Sequence, residues 1–530
     1  HVRHWEAEVG KQVQGFNNEP GRRITDAMYR DGMRNDILGA QGPSYHGVEL
    51  LRDLAKAYEA VRRHKLWEVA DRHGYPRWVL RLSLNAYGWG RRLEMQAGMV
   101  GPQIQVPKGI CAGSAHATYE LKLYLLDYLC EASTRFNWLK VSIHVDDFSL
   151  FVKGTNDDEC LVRLEESANH MDAALDGLCM KQAKDKEEVL ATSDGLASKA
   201  ARMLKVSGGR VPNRAIKLGA DHSLRRSGPN RKVRQKVRLN RFKARLSKAT
   251  RMLDRSQRAL SKVFVSGLIP GALYAAEISD FSRRDITTIR TAALRCANLN
   301  AGGVHNSVKW AVLGAKFDPE VAVNLAPVLA FAREVWANSL RQVEGFRCAS
   351  DTLNGTEIWQ VHKMVTQQME AGYQGIPGSQ GASVSRLCRG LEYFGARLTK
   401  VGHLRLQGGQ EADLTICSPR LLESKLVAGM DTHLAKVAHQ QVWGSSGELD
   451  CAVLRRATKV GGHSRGFIAK VVAGAIHTRS KAVRYGTTNI DECHVCQGVA
   501  DTQAHRVLDC KSSNKDCDKP RRKAWATLSD

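Results

Sequence analysis

Runs with the two-residue spacing of strands alternate, in the first part of this chain, with stretches of helical spacing. Val48 to Asp53 reads as a short strand that passes into a turn or helix. Helical sequence continues through Leu66, Trp67 and Val69 until Gly74-Tyr75-Pro76 breaks it, and a second helix is expected from Trp78 to Trp89. Residues 93–107 suggest a hairpin, and Gly109 to Ala115 a small-residue loop ahead of a buried helix from Thr118 to Cys130. Val141-Ser142-Ile143-His144 and Phe148-Ser149-Leu150-Phe151-Val152 are two short apolar runs around Asp146-Asp147, the pattern of a tight β-hairpin with two acids at its tip. A helix from Asp158 to Leu178 and a strand from Glu188 to Thr192 follow. Such an order builds an α+β layer with an antiparallel sheet.

From Arg225 to Lys262 the pattern changes. Basic residues crowd the stretch, Asp254 is its one acid, and Val237, Phe242, Leu246, Met252 and Leu253 recur at helical spacing. A long amphipathic helix is expected, with a face of one sign that suits phosphate contact. Arg234, Arg238, Arg241, Arg245 and Lys248 are its candidate contacts. Helical patterns recur at Val321 to Arg341 and Ile358 to Ala371, with a linker-like run from Gly372 to Ser385.

Composition sharpens the picture at a few points. At 530 residues the chain is expected to hold several domains. Its net charge of +25 calls for a polyanionic partner, nucleic acid before membrane. No apolar run approaches the ~18 residues of a membrane span, and the start is no signal peptide. Thirteen scattered cysteines fit a reducing, intracellular setting better than a disulfide framework, with action expected in the nucleus or cytoplasm, the nucleus first. The chain opens on His1 rather than Met, as a piece of a longer protein would.

Paired carboxylates next to a core need a cation or hydrogen bonds. Asp53 and the Asp146-Asp147 pair both fall at expected strand ends, so neighbouring strands would bring them together. Such a site suits two magnesium ions ~4 Å apart that activate an attacking hydroxyl and steady a leaving pyrophosphate.

In this order the motifs resemble the reverse transcriptase of non-LTR retrotransposons. Asp53-Leu54-Ala55-Lys56-Ala57-Tyr58-Glu59 is similar to the first family motif, with Glu59 where the family has Asp. The resemblance implies Asp53 as a metal ligand and Tyr58 as the side chain that crowds a ribose 2′ hydroxyl. Pro107 to Ala115 takes the place of the nucleotide-cradling loop and implies Gly113, although Ala112 replaces the usual Gln. His144-Val145-Asp146-Asp147 is similar to the aromatic-x-Asp-Asp motif, with His144 in the aromatic position. Lys184-Asp185-Lys186 implies Lys186 beside the triphosphate, and Ala215 to Gly219 resembles the primer-grip turn.

The resemblance implies an RNA-directed DNA polymerase that uses Mg2+ or Mn2+, an RNA template, a DNA primer and deoxynucleoside triphosphates. Its catalytic and metal-binding residues would be Asp53, Asp146 and Asp147. The expected organisation is a remnant of the fingers at 1–45, a palm at 46–222 and a basic helical thumb at 223–280. A mostly helical connecting region at 281–480 has no assigned role. The fingers hold few basic residues, among them Arg22, Arg23, Arg30 and Arg34. The alternative is a catalytically inactive nucleic-acid-binding remnant, which Ala112, His144 and the thin fingers favour.

At the far end Cys493, Cys496, His505 and Cys510 form C-x2-C-x8-H-x4-C, a spacing that suits tetrahedral Zn2+ in a closed structural site. His494 and Cys517 compete as ligands. Residues 485–530 are therefore expected to form a zinc module with a basic tail, a single-stranded nucleic-acid binder by similarity to modules of the same family.

Overall fold

In the computed structural model the described residues are 1–9, 23–42, 44–94, 98–206, 214–225, 233–253, 256–299, 304–341, 352–371 and 383–443. Beyond these only 446–447, 450, 469–470, 472–473, 483, 489–493, 496–502 and 505 are described.

Among the described residues two helices precede the first strand: α1 (Val2–Val9) and α2 (Ile24–Ala40). Strand β1 (His46–Ala55) is followed by α3 (Ala57–Ala60), α4 (Arg63–Arg72) and α5 (Arg77–Gly88). Next come α6 (Ala117–Tyr124), α7 (Leu126–Arg135), the hairpin β2 (Leu139–His144) and β3 (Asp147–Gly154), and α8 (Asp157–Gly177). Short strands β4 (Lys181–Gln182) and β5 (Glu188–Ala191) and helix α9 (Asp194–Met203) close this unit.

Strand β1 is the centre of a five-stranded antiparallel sheet, with β3 then β2 on one side and β4 and β5 on the other. The register sorts the side chains onto two faces, since directly paired residues project the same way. Val48, Leu50, Phe148, Leu150, Val152, Ile143 and Val189 share one face and are buried in the main core, against α7, α8 and α9. Asp53, Asp147 and His144 form a cross-strand row on the opposite face. Behind it run Leu51, Ser149, Ser142 and Glu188, and then Glu49 and Phe151.

A second hairpin, β6 (Ala215–Lys217) and β7 (Ala220–His222), covers that polar face through Ala215 and the neighbouring Leu224, which pack on Leu51, Phe151 and Leu190. Helices α10 (Val233–Met252), α11 (Gln257–Val263), α12 (Ile269–Ala272) and α13 (Arg283–Cys296) follow, with a π-helical turn over Phe264–Leu268. Among the described residues there follow α14 (Asn306–Leu313), α15 (Pro319–Arg341), α16 (Gly355–Glu370) and α17 (Ser383–Tyr393), then a three-stranded sheet of β8 (Arg397–Leu398), β9 (His403–Arg405) and β10 (Glu411–Asp413), and α18 (Pro419–Trp443).

The structure departs from the sequence reading in several places. The single helix expected over 118–130 is two, broken at Leu125. The hairpin expected at 93–107 contributes two isolated bridges, Arg91 to Ile104 and Glu94 to Val100, among the described residues. The basic helix is shorter than 225–262, with α10 ending at Met252 and α11 starting at Gln257. Helices α1 and α2 lie in the 1–45 region expected to be a remnant of the fingers. Met33 and Tyr29 of α2 are buried in a second core with α15, α16 and α17. Arg30 pairs there with Glu334 at 2.9 Å and Arg34 with Glu357 at 3.1 Å, so both guanidiniums are engaged within the fold. No described helix is long and apolar enough to cross a membrane.

Candidate active site

Three carboxylates that are 94 residues apart in sequence at their extremes meet at one corner of the polar face. Asp53 lies opposite Asp147 in the β1–β3 register, and the Leu54 amide donates to the Asp146 carbonyl at 3.0 Å. One carboxylate oxygen from each of Asp53, Asp146 and Asp147 lies within 4.8 Å of the others. The β2–β3 turn is only two residues long, and it holds Val145 at φ 61. A left-handed β-branched residue is a strained one, and such strain persists only where surrounding structure enforces it. Here the flanking ladder does so, and Asp146 is held beside Asp147.

Clustering raises the electrostatic cost of charge. Burial, and then the neighbouring Asp146 and Asp53 carboxylates, push the Asp147 carboxyl up from 3.8 to about 6, against the opposing pull of Lys186 and Lys217. The Lys186 ammonium donates to Asp53 and is held above its ordinary range by that contact. His144 lies across from Asp147, its imidazole lowered by burial, and its buried Nδ1 has no hydrogen-bond partner among the described residues. Hard oxygen donors, mutual repulsion and one compensating cation make this corner fit a divalent ion such as magnesium.

A cleft of about 160 Å³ opens beside the acids, between the polar face and the β6–β7 hairpin. Ser142, His144 and Lys186 line it from the sheet side, and Ile216 and Leu218 from the hairpin. The hairpin is fixed by a buried lysine. Lys217 Nζ donates to Asp31 and Glu49 at 2.6 Å each and to Ser149 at 2.9 Å, which uses all three of its protons. His222 Nε2 lies 2.6 Å from the other Glu49 oxygen. Neighbouring acids hold Lys217 above its ordinary range despite burial, and Lys217 and His222 hold Glu49 well below its own. At the hairpin turn Leu218 and Gly219 both have positive φ, 48 and 82. Arg238 of α10 donates to the Gly219 carbonyl and lies 4.4 Å over the Tyr274 ring, whose hydroxyl donates to the Leu218 carbonyl.

The remaining residues singled out by sequence divide. Tyr58 stands on α3, one short turn from Asp53, and its carbonyl accepts from the Ile110 amide at 2.9 Å. Gly113 has φ +90 in open space, whereas Gly109, which the sequence did not single out, packs hard against the backbone of Tyr58 and Glu59. Lys186 reaches Asp53 rather than standing clear of the acids. Of the basic set on α10, Arg241, Arg245 and Lys248 are exposed, while Arg234 and Arg238 are half-buried. The Glu49–Lys217–Asp31 network was not read from sequence. Its members lie in three separate elements, and only the β1–β3 register brings Ser149 to Glu49.

In the C-terminal part Cys493, Cys496 and His505 present ligand atoms within 4.8 Å of one another. The Cys493 amide donates to the Val499 carbonyl at 2.8 Å, and the Cys493 carbonyl accepts from the Gln497 amide at 3.0 Å. This tight turn, with Gln497 and Gly498 at positive φ, presents both thiols. His505 Nε2 is buried without a hydrogen-bond partner, so two thiols and an imidazole fit a zinc ion. Cys510, the expected fourth ligand, lies outside the described residues, as do His494 and Cys517.

No family model matches this chain, and no curated protein does. Among solved structures it is similar to telomerase from Candida tropicalis in complex with a fragment of telomeric RNA, at 10% identity and a TM-score of 0.34. It is similar to the apo telomerase of the same organism at 10% identity and 0.32, and to telomerase from Candida albicans in complex with such a fragment at 10% and 0.28. These alignments cover 73%, 73% and 56% of this chain. The chain spans 56%, 59% and 54% of the telomerase chains, respectively.

Proposed function

We propose that this chain is an RNA-directed DNA polymerase of the kind carried by non-LTR retrotransposons, which extends a primer 3′ hydroxyl on an RNA template. The observation that carries the reading is the meeting of Asp53, Asp146 and Asp147 within 4.8 Å on a sheet face whose opposite side packs Val48, Leu50, Phe148 and Leu150 into the main core. The order of the sequence motifs around those acids supports it.

Asp53, Asp146 and Asp147 would hold magnesium or manganese, which when bound favours ionisation of the attacking hydroxyl and neutralises the triphosphate. The chain's own groups position the reactants. The β6–β7 hairpin, anchored by Lys217, forms one wall of the cleft beside the acids and would seat the primer end. Lys186, paired with Asp53, would move from it to the pyrophosphate as charge develops there. Tyr58, backed by Gly109, would crowd a ribose 2′ hydroxyl and so select deoxynucleotides. Arg241, Arg245 and Lys248 would follow the phosphates of the template–primer duplex. Zinc held by Cys493, Cys496, His505 and Cys510 would order a small module for single-stranded nucleic acid.

Extension of oligo(dT) on poly(rA) with Mg2+ or Mn2+ tests the reading. Activity by the wild-type chain that disappears in Asp146→Asn is expected. Salt-dependent RNA binding without extension by either metal, unchanged in Asp146→Asn, would overturn the enzyme in favour of an inactive binding remnant.

A further inference from the structure

The face of α5 turned away from the core carries an arrangement that the acid site does not use. Val79, Leu80, Ser83 and Tyr87 are its buried side. Trp78 and Leu82 on the other side, and Trp89 at the C-terminal cap of the helix, are 56%, 62% and 71% exposed. Soluble proteins rarely leave such a row of large apolar side chains open without a partner.

The sequence from Arg77 to Lys108 contains Arg77, Arg81, Arg91, Arg92 and Lys108 against one acid, Glu94. Arg77 is met by Asp71 at 2.7 Å. Arg81, Arg91, Arg92 and Lys108 are exposed. Two copies of this face brought together would set like charges against one another, so charge complementarity argues against self-association and for a polyanion.

A polyanion that also covers tryptophan rings is one whose bases are free to stack. In a duplex the base faces are already occupied by their neighbours. In a single strand they are open, and aromatic side chains flanked by arginine are the usual platform for them. Trp78 and Trp89 lie ~16 Å apart along the helix direction, room for more than one base between them. His1 lies beside Trp78, with ring centres 5.5 Å apart and planes at 88°.

The platform is also tied to the acid corner. Arg63 donates to the Tyr87 carbonyl at 2.7 Å and to the Gly109 carbonyl at 2.9 Å. It thus joins the end of α5 to the loop that backs Tyr58.

We infer that the outer face of α5, with Trp78 and Trp89 as stacking surfaces and Arg81, Arg91 and Arg92 as phosphate contacts, binds single-stranded nucleic acid. That the strand is an RNA template on its way to the acids rests on the proposed polymerase function; the binding itself does not.

Fluorescence anisotropy with a labelled 20-nucleotide poly(U) strand and with a labelled duplex of equal length tests this on the full chain. Trp78→Ala/Trp89→Ala is expected to weaken the single strand by about tenfold or more and to leave the duplex within about twofold. Arg81→Gln/Arg91→Gln/Arg92→Gln is expected to lower the slope of log K against log salt by about 2. Unchanged single-strand affinity in the tryptophan variant overturns the inference. Loss of a sedimenting dimer with nucleic-acid affinity intact also overturns it, and assigns the face to self-association. Because both tryptophans are exposed, far-UV circular dichroism should match wild type; Trp78→Phe/Trp89→Phe, which keeps the rings, should restore binding. Asp146→Asn run alongside separates the two claims. If it loses extension while poly(U) binding is indifferent to the tryptophans, only this inference falls. If the tryptophans govern binding but no chain extends a primer, only the polymerase reading falls.

Discussion

Asp147 carries the electrostatic burden of the acid corner. Its carboxyl is raised from 3.8 to about 6, so the folded chain holds that proton more tightly than the unfolded one. The sign follows: the site is most favourable to folding below about pH 4 and loses that advantage as pH rises to 6. Asp147→Asn should therefore stabilise the chain at pH 7, without added divalent metal, and change little at pH 3.5. The expected gain is limited to about 1 kcal/mol because water screens an exposed side chain. Urea unfolding at the two pH values checks it, and a loss of stability at pH 7 would contradict the repulsion argument. Gly109 makes a second prediction at this scale. An added Cβ would lie 3.0 Å from Glu59 Cα, at φ +86. Gly109→Ala should cost about 2 kcal/mol or more, and Gly113→Ala, with the same strain but open space, about 1 kcal/mol. Thermal unfolding of the two variants ranks them; equal losses would mean that the Tyr58–Glu59 contact is unimportant.

Among the elements, the β6–β7 hairpin depends most on a single residue. Lys217 is 7% exposed and Glu49 is 2% exposed, with Asp31 and His222 completing the group. Removing one member of a buried ion group strands the others, at about 3–5 kcal/mol. Lys217→Met should lose stability on that scale, and hydrogen exchange of the 215–222 amides should rise towards that of open loops. Unaltered protection there would show that Leu224 and Ala215 hold the hairpin alone. Glu49 is held below its ordinary 4.5, so its contribution is intact above that value and drains as pH falls further. This element also shows where sequence reading stops. The Ala215 to Gly219 turn could be marked, because it resembles a family's primer-grip turn. Its anchor could not, because Lys217, Asp31, Glu49 and Ser149 have no mutual spacing until the sheet register sets it. The acid hairpin was legible for the opposite reason: its two runs are adjacent, and a two-residue turn fixes their pairing.

At the scale of the molecule, the strands and helices around the sheet were largely readable from period and punctuation. The placement of α2 was not. Tyr29, Met33 and Ile37 do recur at helical spacing, but their partners on α15, α16 and α17 lie about 300 residues downstream, beyond any local pattern. The same distance explains why Arg30, expected with the fingers, closes on Glu334 instead. The small sheet β8–β10 was missed because its strands are two or three residues long, too short for alternation to register. Of the C-terminal ligand set, Cys493, Cys496 and His505 were legible from spacing, since ligand chemistry is written in residue type. One equivalent of zinc per chain is expected by elemental analysis, with Cys496→Ser and His505→Ala each losing most of it; retention in both would remove the metal from this module.

The central claim is that Asp53, Asp146 and Asp147 act as one binding site. Titration of Mn2+ into the chain, followed by the loss of its free electron paramagnetic resonance signal, tests that directly. Asp53→Asn, Asp146→Asn and Asp147→Asn should each weaken the same site by about tenfold or more, as removal of one ligand from a shared ion requires. Binding that survives intact in Asp53→Asn but vanishes in Asp146→Asn would contradict the convergence, and with it the polymerase.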